Sequence, residues 1–262
     1  MNHMPLVSVV IPTYNRSQLI LRAVRSVLEQ TYTNLECIVV DDFSSDNTKE
    51  IIKSVKDERI IYLRHKDNQR ASAARNTGIK CAKGDYVAFL DDDDLWLPTK
   101  LEKQMLLIQN LSEKFGMVYC WMDYFDKNGN NIKEHHPILK GNVFKHVLES
   151  QGIGGCPTLL VRKEVFESIG EFDESLPRGN DGDFIRRVCR KYMVDFIPEV
   201  LVNVYVEHGS ERISDNNKQG LLNAIQGQSV KLEKFKSELK QLPIQKSNIY
   251  STIGFHYSQL RD

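Results

Sequence analysis

Along the first ninety-odd residues the apolar positions switch regularly between two periods. Leu6-Val-Ser-Val-Val-Ile11 is a largely β-branched run halted by Pro12, and it reads as a buried parallel strand. From Ser17 to Gln30 the apolar residues Leu19, Ile20, Ala23, Val24, Val27 and Leu28 recur at helical spacing. The same alternation predicts a strand over Leu35–Val40, a helix over Asp46–Val55 and a strand over Ile60–Leu63. A helix over Ala71–Ala82 follows, with Lys83-Gly84 as its C-cap, then a strand over Tyr86–Leu90. Strands alternating with helices through short connections predict an α/β fold with a doubly wound, mostly parallel sheet and helices on both faces. In such sheets ligands sit beyond the carboxyl ends of the strands. That rule directs attention to Pro12–Asn15, Asp41–Ser45 and Asp91–Asp94.

After Asp94 the rhythm changes. Thr99-x-x-Glu102 reads as a capping box opening a helix with Leu101, Met105 and Ile108 on one face. A strand over Met117–Phe125 leads into a hairpin turn at Asp126–Asn130. That turn fails as a calcium loop, because Tyr124 stands where the first acidic ligand belongs. Further expectations are a helix over Gly141–Ser150, a strand over Pro157–Arg162, a helix over Gly179–Lys191, and strands over Met193–Ile197 and Val200–Glu207. From Asn216 onward the pattern is helical and more polar, with Leu221, Leu222, Ile225, Leu232, Phe235 and Leu239 forming a stripe. No internal repeat or low-complexity linker separates the parts. The expected division is 1–98, 99–214 and a C-terminal helical tail over 215–262, all packed together.

Composition narrows the function classes. The 262 residues carry 35 Lys+Arg against 35 Asp+Glu, so no whole-protein field exists to hold nucleic acid. The longest apolar runs are too short for a transmembrane helix, and the N-terminus lacks the pattern of a secretory signal. The five cysteines are odd in number, widely spaced and set in apolar contexts, which reads as reduced thiols of a cytoplasmic protein.

Asp91-Asp92-Asp93-Asp94 follows a buried strand directly. Four adjacent carboxylates raise one another's pKa unless a counter-charge is present, and hard oxygen donors with no nearby His or Cys point to Mg²⁺ or Mn²⁺. Asp41-Asp42 ends another strand; one residue of the cluster beyond it is expected to cap the helix at Asp46, leaving Asp41 and Asp42 to accept hydrogen bonds from a ligand.

At this point four segments resemble the family 2 glycosyltransferases with the GT-A fold: Val9-Val-Ile-Pro-Thr-Tyr-Asn15, Val39-Val-Asp-Asp42 with Ser44 and Asp46, Ala73-Ala-Arg-Asn-Thr-Gly78, and Phe89-Leu-Asp-Asp-Asp-Asp94. The likeness continues through Gly170-Glu-Phe-Asp-Glu174 and Asn180-Asp181, so it spans about 6–212. It implies a Rossmann-like sheet fused to a smaller acceptor-side sheet, and transfer of a hexosyl or N-acetylhexosaminyl group from a UDP-sugar with inversion. By position it implies that Pro12, Tyr14, Asn15 and Asp42 hold the nucleoside and that Arg70 or Arg75 approaches the base or diphosphate. Asp93 becomes the direct metal ligand, with Asp91 and Asp92 on ribose or metal-bound water. A structural ion pair for Arg75 stays open. Asp181 matches the family's general base, while Asn180 replaces its usual Glu partner.

Helical geometry supports Asp181 independently: it shares a face with Phe184, Ile185 and Val188, while Asp183 lies about 160–200° away. At the inward edge of an apolar stripe, its pKa is expected to rise toward that of a usable base. The segment Glu207-His208-Gly-Ser-Glu-Arg212 resembles the one that closes over the diphosphate, with His208 as a metal ligand or phosphate donor and Arg212 neutralising the leaving group. A sugar nucleotidyltransferase is disfavoured because the loop after the first strand is not glycine-rich. A non-catalytic nucleotide-sugar binding or scaffold protein stays open. The resemblance also implies a glycan or lipid-linked acceptor and a role in surface-polysaccharide assembly. The tail leaves open core packing, a homodimer, or peripheral contact with the inner face of a membrane.

Overall fold

The computed structural model describes residues 4–149, 152–206 and 217–260. Its first part alternates strands and helices: β1 (Val7–Thr13), α1 (Ile20–Leu28), β2 (Leu35–Asp41), α2 (Thr48–Ser54), β3 (Ile60–Arg64), α3 (Arg70–Cys81) and β4 (Tyr86–Phe89). Then come β5 (Leu95–Trp96), α4 (Lys100–Gln109), β6 (Phe115–Phe125), β7 (Asn131–His135), α5 (Phe144–Glu149), β8 (Leu160–Arg162), α6 (Lys163–Ile169), α7 (Asn180–Lys191) and β9 (Met193–Tyr205). The tail holds α8 (Lys218–Lys234), α9 (Lys236–Leu239) and α10 (Pro243–Gln259).

One sheet runs through the first two parts in the order β3-β2-β1-β4-β8-β6-β9-β5, with β7 added to β6. β1, β2, β3 and β4 pair in parallel, as do β6 and β9, whereas β8 joins β4 to β6 antiparallel. Successive residues of β1 face opposite sides, as the strand period requires. Val9 and Ile11 pack in one core with Val24 and Val27 of α1 and Leu101 and Met105 of α4. Val10 packs in the other with Ala74 and Ile79 of α3 and Phe184 and Val188 of α7. The polar Ser8 is buried between them because its hydroxyl donates to Glu36 at 2.5 Å and accepts from the Gly84 N–H at 2.9 Å.

Several local expectations are corrected. Pro12 does not stop β1; it pairs in register with Val40. The Leu90 N–H bonds Val10 O, so even-numbered residues of β1 direct their amides toward β4, and β4 ends before reaching Pro12. The missing N–H therefore costs no ladder bond. Gly84 is not a left-handed cap, since α3 ends at Cys81 and a Cβ on Gly84 would sit 2.5 Å from Leu6 O. Close approach to β1 is what requires glycine there. The Thr99 capping box is absent: Thr99 makes no side-chain cap bond, and Glu102 accepts from the Thr31 hydroxyl at 2.7 Å. The two strands expected over 193–207 are one, β9, whose register against β6 shifts near Trp121 and so absorbs Pro198. Two elements escaped the pattern: α6, with only Val165 and Phe166 buried, and the two-residue β5, held antiparallel on β9.

The tail packs on the core through Leu221 and Ile225, and through Phe235, Leu239 and Ile249 against Leu148 of α5. Leu222 of the expected stripe is 40% exposed. Among the described residues no helix is long and apolar enough to cross a membrane. All five cysteines are unpaired, four of them buried and Cys81 half-buried.

Candidate active site

The carboxyl ends of β1, β2 and β4 open into one cleft of about 810 Å³, closed on the far side by the N-terminus of α7. Pro12, Tyr14, Asn15, Asp42, Arg70, Arg75, Asp91, Asp92, Asp93 and Asp181 all line it. Every site residue predicted from the sequence within the described part of the chain is thereby brought together. His208 and Arg212 lie outside the described residues.

At the β1 end, Tyr14 projects into the opening with 46% of its surface exposed. Asn15 adopts a positive φ of 52°, and its side-chain oxygen accepts from the Ser45 N–H at 2.7 Å, tying the β1 loop to the β2 loop. At the β2 end the carboxylates already accept hydrogen bonds within the fold, and Asp42 also borders the cleft. Asp41 accepts from the Ser44 N–H and the Tyr62 hydroxyl. Asp42 accepts from the backbone N–H of Gln69 at 2.8 Å and of Arg70 at 2.6 Å, and meets His65 Nδ1 at 2.7 Å. The first amides of a helix have no partner within it, so Asp42 caps α3 from a distant strand. Arg70, at φ 74°, begins that helix with an exposed side chain.

At the β4 end the partners are guanidinium groups. Arg75, buried on α3, holds Asp91 Oδ1 at 2.6 Å, which is the structural pairing left open from the sequence. Arg16 holds Asp93 Oδ2 at 2.7 Å and approaches Asp92 Oδ1 at 3.8 Å. Arg22, stacked on Tyr205, donates to the Asp93 backbone oxygen. Burial first, and the neighbouring Asp93 second, push the Asp92 carboxyl up to about 7. The set of oxygens suits a hard divalent cation. Among the described residues no three His, Cys, Asp or Glu side chains stand together as a complete metal centre. A cation there would take part of its coordination from a ligand.

Asp181 faces this cluster across Arg75, whose Nη1 lies 3.8 Å from Asp181 Oδ1. The other oxygen, Oδ2, accepts from the Cys156 N–H at 3.1 Å. A Cβ on Gly155 would stand only 3.3 Å from Oδ2, so the glycine run lets the backbone come close to this carboxylate. The helical-wheel contrast between the two acids of α7 does not carry over to burial. Asp183 is the buried one, bonded to Arg187 at 2.8 Å and to Lys234 of α8 at 2.8 Å. Asp181, in the first turn, extends past the apolar stripe into the cleft. Asn180 has a local role: its amide donates to Ser72 Oγ at 2.8 Å, joining α7 to α3.

Sequence reasoning missed Arg16, Asn68 and Arg178 in the cleft wall. Arg16 directly follows the quoted Tyr14-Asn15, but nothing in the chain signals a partner 77 residues away.

Residues 8–170 match the family described as Glycosyl transferase family 2. An uncharacterized glycosyltransferase of Rickettsia felis is 35% identical over 224 residues, which is 82% of this chain and 37% of that protein. The chain thus spans little more than a third of that relative. The Escherichia coli UDP-Glc:alpha-D-GlcNAc-diphosphoundecaprenol beta-1,3-glucosyltransferase WfgD is 39% identical over 158 residues, 60% of each chain. Among solved structures, S. aureus TarS 1–349 in complex with UDP-GlcNAc superposes with a TM-score of 0.67 at 19% identity, covering 86% of this chain and 66% of that one. At that identity the likeness shows the fold, which is of the GT-A type.

Proposed function

The chain belongs to glycosyl transferase family 2, and on that premise we propose that it moves a sugar from a UDP-sugar to an acceptor hydroxyl in a single inverting displacement. The observation that carries this reading is the opposition of Asp181 and Asp91–Asp93 across Arg75 in one cleft. Tyr14, Asn15 and Arg70 border the nucleoside end, where Tyr14 offers an exposed ring for a base to stack on. Asp91 and Asp92 would hold the ribose or metal-bound water, and Asp93 would be the direct ligand of a Mn²⁺ or Mg²⁺ ion. Such an ion would supply Lewis-acid stabilisation of charge on the departing diphosphate. Asp181 takes the proton of the acceptor hydroxyl, whose oxygen attacks the anomeric carbon from the face opposite UDP. Base catalysis of this kind contributes about 10²–10⁴-fold.

The acceptor fits the same premise. WfgD is named for glucosyl transfer to a diphosphoundecaprenol-linked sugar, and a lipid-linked glycan in surface-polysaccharide assembly is the acceptor class we assign here.

Thermal unfolding with UDP, with Mn²⁺ and with both provides the test. At about 100 times the dissociation constant, linkage gives about 2.7 kcal/mol of stabilisation. The expected result is a raised midpoint that needs UDP and metal together and disappears in Asp93→Asn. UDP-sugars are then screened for turnover, with Asp181→Asn expected to lower it by about 10²-fold or more. No shift with UDP or any other nucleoside diphosphate would overturn the reading.

A further inference from the structure

The match to the family stops at Gly170, yet residues 178–182 form the cleft wall at Asp181, and the stretch from 172 that leads into them is bonded to the tail. This segment has no regular structure before α7 begins at Asn180. Its geometry is therefore set by what grips it. On the core side, Asn76 of α3 accepts from the Phe172 N–H at 2.9 Å and donates to Phe172 O at 3.0 Å and Glu174 at 2.7 Å.

On the other side, among the described residues, α8 supplies the grips. Lys234 Nζ holds Asp173 at 2.6 Å and Asp183 at 2.8 Å, joining the two ends of the segment through one ammonium group. Hydrogen bonds from Lys234 and Ser175 outweigh the cost of partial burial and bring the Asp173 carboxyl down to about 2. Gln226 donates to Ser175 O at 3.0 Å, and Arg178 donates back to Gly220 O at 3.2 Å. A Cβ on Gly227 would stand 3.0 Å from Arg178 O, so α8 passes against the backbone two residues before Asn180.

We propose that α8 is a working part of the transfer site and that Lys234 is a positioning residue, fixing Asp181 by tying Asp173 to Asp183 across the segment that presents it. The proposal rests on the reading of Asp181 as the base. Lys234 touches no substrate; it acts through the backbone between its two carboxylate partners. Removing the ammonium leaves Asp183 its bond to Arg187, while the loop loses its ion pair to α8 and keeps the hydrogen bonds to Asn76, Gln226 and Gly220.

The experiment compares wild type with Lys234→Met and Lys234→Arg by three readouts: hydrogen exchange of the amides over 172–182, UDP affinity in Mn²⁺, and turnover of a UDP-sugar found active for the wild type. Lys234→Met is expected to speed exchange over 172–182, leave UDP affinity within about twofold, and lower kcat about tenfold, a size suited to misplacement of a reacting group. Lys234→Arg is expected to recover most of kcat. Gln226→Leu, which removes one neutral hydrogen bond, gives a milder form of the same pattern should Lys234→Met fold poorly. Unchanged exchange over 172–182 overturns the clamp, and faster exchange with unchanged kcat overturns the positioning role. Loss of UDP affinity in step with kcat also overturns it, since that marks general damage. A wild type that neither binds UDP nor turns over a UDP-sugar defeats the function proposed above, while the exchange data still decide the clamp.

Discussion

At the end of β2, Asp41 and Asp42 are bonded into the fold, their oxygens accepting from backbone amides and a tyrosine hydroxyl and meeting a histidine. At the end of β4, Asp91, Asp92 and Asp93 have the same side chain and a comparable place in the sheet. Their carboxylates are met by the guanidinium groups of Arg75 and Arg16. The difference lies in what can be exchanged. A backbone amide at a helix start cannot leave without unwinding the helix, whereas a guanidinium sits at the end of a side chain with torsions of its own. The first run of aspartates is bonded to backbone it helps to organise; the second, also largely buried, is paired with side-chain cations.

That contrast can be broken most directly at Asp42. Asp42→Ala strands two helix amides and a buried imidazole, and we expect a loss of about 3 kcal/mol or more in urea unfolding. A loss under about 1 kcal/mol would mean that the β2 carboxylates are dispensable to the fold.

Lys100 supplies a control in which burial acts on a charge away from any aspartate. It lies fully buried against the Trp96 ring with Gln104 as its hydrogen-bond partner, and burial lowers its pKa from 10.5 to about 8. Because the folded pKa is depressed, the unfolded chain binds more protons between pH 8 and 10.5. The cost of burying the ammonium is therefore present in full below pH 8 and is relieved as pH rises toward 10.5. The stability of wild type relative to Lys100→Met should climb over that window by up to about 3 kcal/mol. A flat difference would show that burial alone does not set the energetics of these groups.

Two smaller effects sharpen the β4 side. Arg16→Gln should destabilise the protein by about 1 kcal/mol in EDTA, and Mn²⁺ should restore the loss if the two cations are interchangeable. Asp93→Asn keeps an oxygen for Arg16 and relieves crowding, so its fold stability should stay within about 1 kcal/mol of wild type. Denaturant curves with and without metal check both.

Much of this site could be read from the chain. The β-branched runs ending in aspartate gave away the strand ends, and the strand-end rule gathered Pro12, Tyr14, Asp42 and Asp91–Asp93 around one opening. What could not be read depends on partners distant in sequence. Asp42 and Arg70 are 28 positions apart, Arg16 and Asp93 are 77, and no local period records either pairing. Asp183 misled for a related reason. Helical periodicity reports which residues share a face but not which distant side chains reach the helix, and Lys234 of α8 meets Asp183 there. Pro12 misled because a proline blocks a ladder only where a neighbouring strand waits for its amide.

The short strand β5 carries a consequence for how the molecule is made. It follows the aspartate run, and it is held by β9, with Leu95 opposite Asn203 and the Tyr205 N–H donating to Asp94. During synthesis the chain emits Asp91–Asp94 about a hundred residues before the strand that anchors their far side. A nascent chain can form the β1–β4 layer early and bond Asp91 and Asp93 to Arg75 and Arg16, but Asp94 and β5 gain their partners only when β9 arrives. Long-range pairings of this kind close late in folding. The acidic loop would thus reach its final shape only in a finished domain.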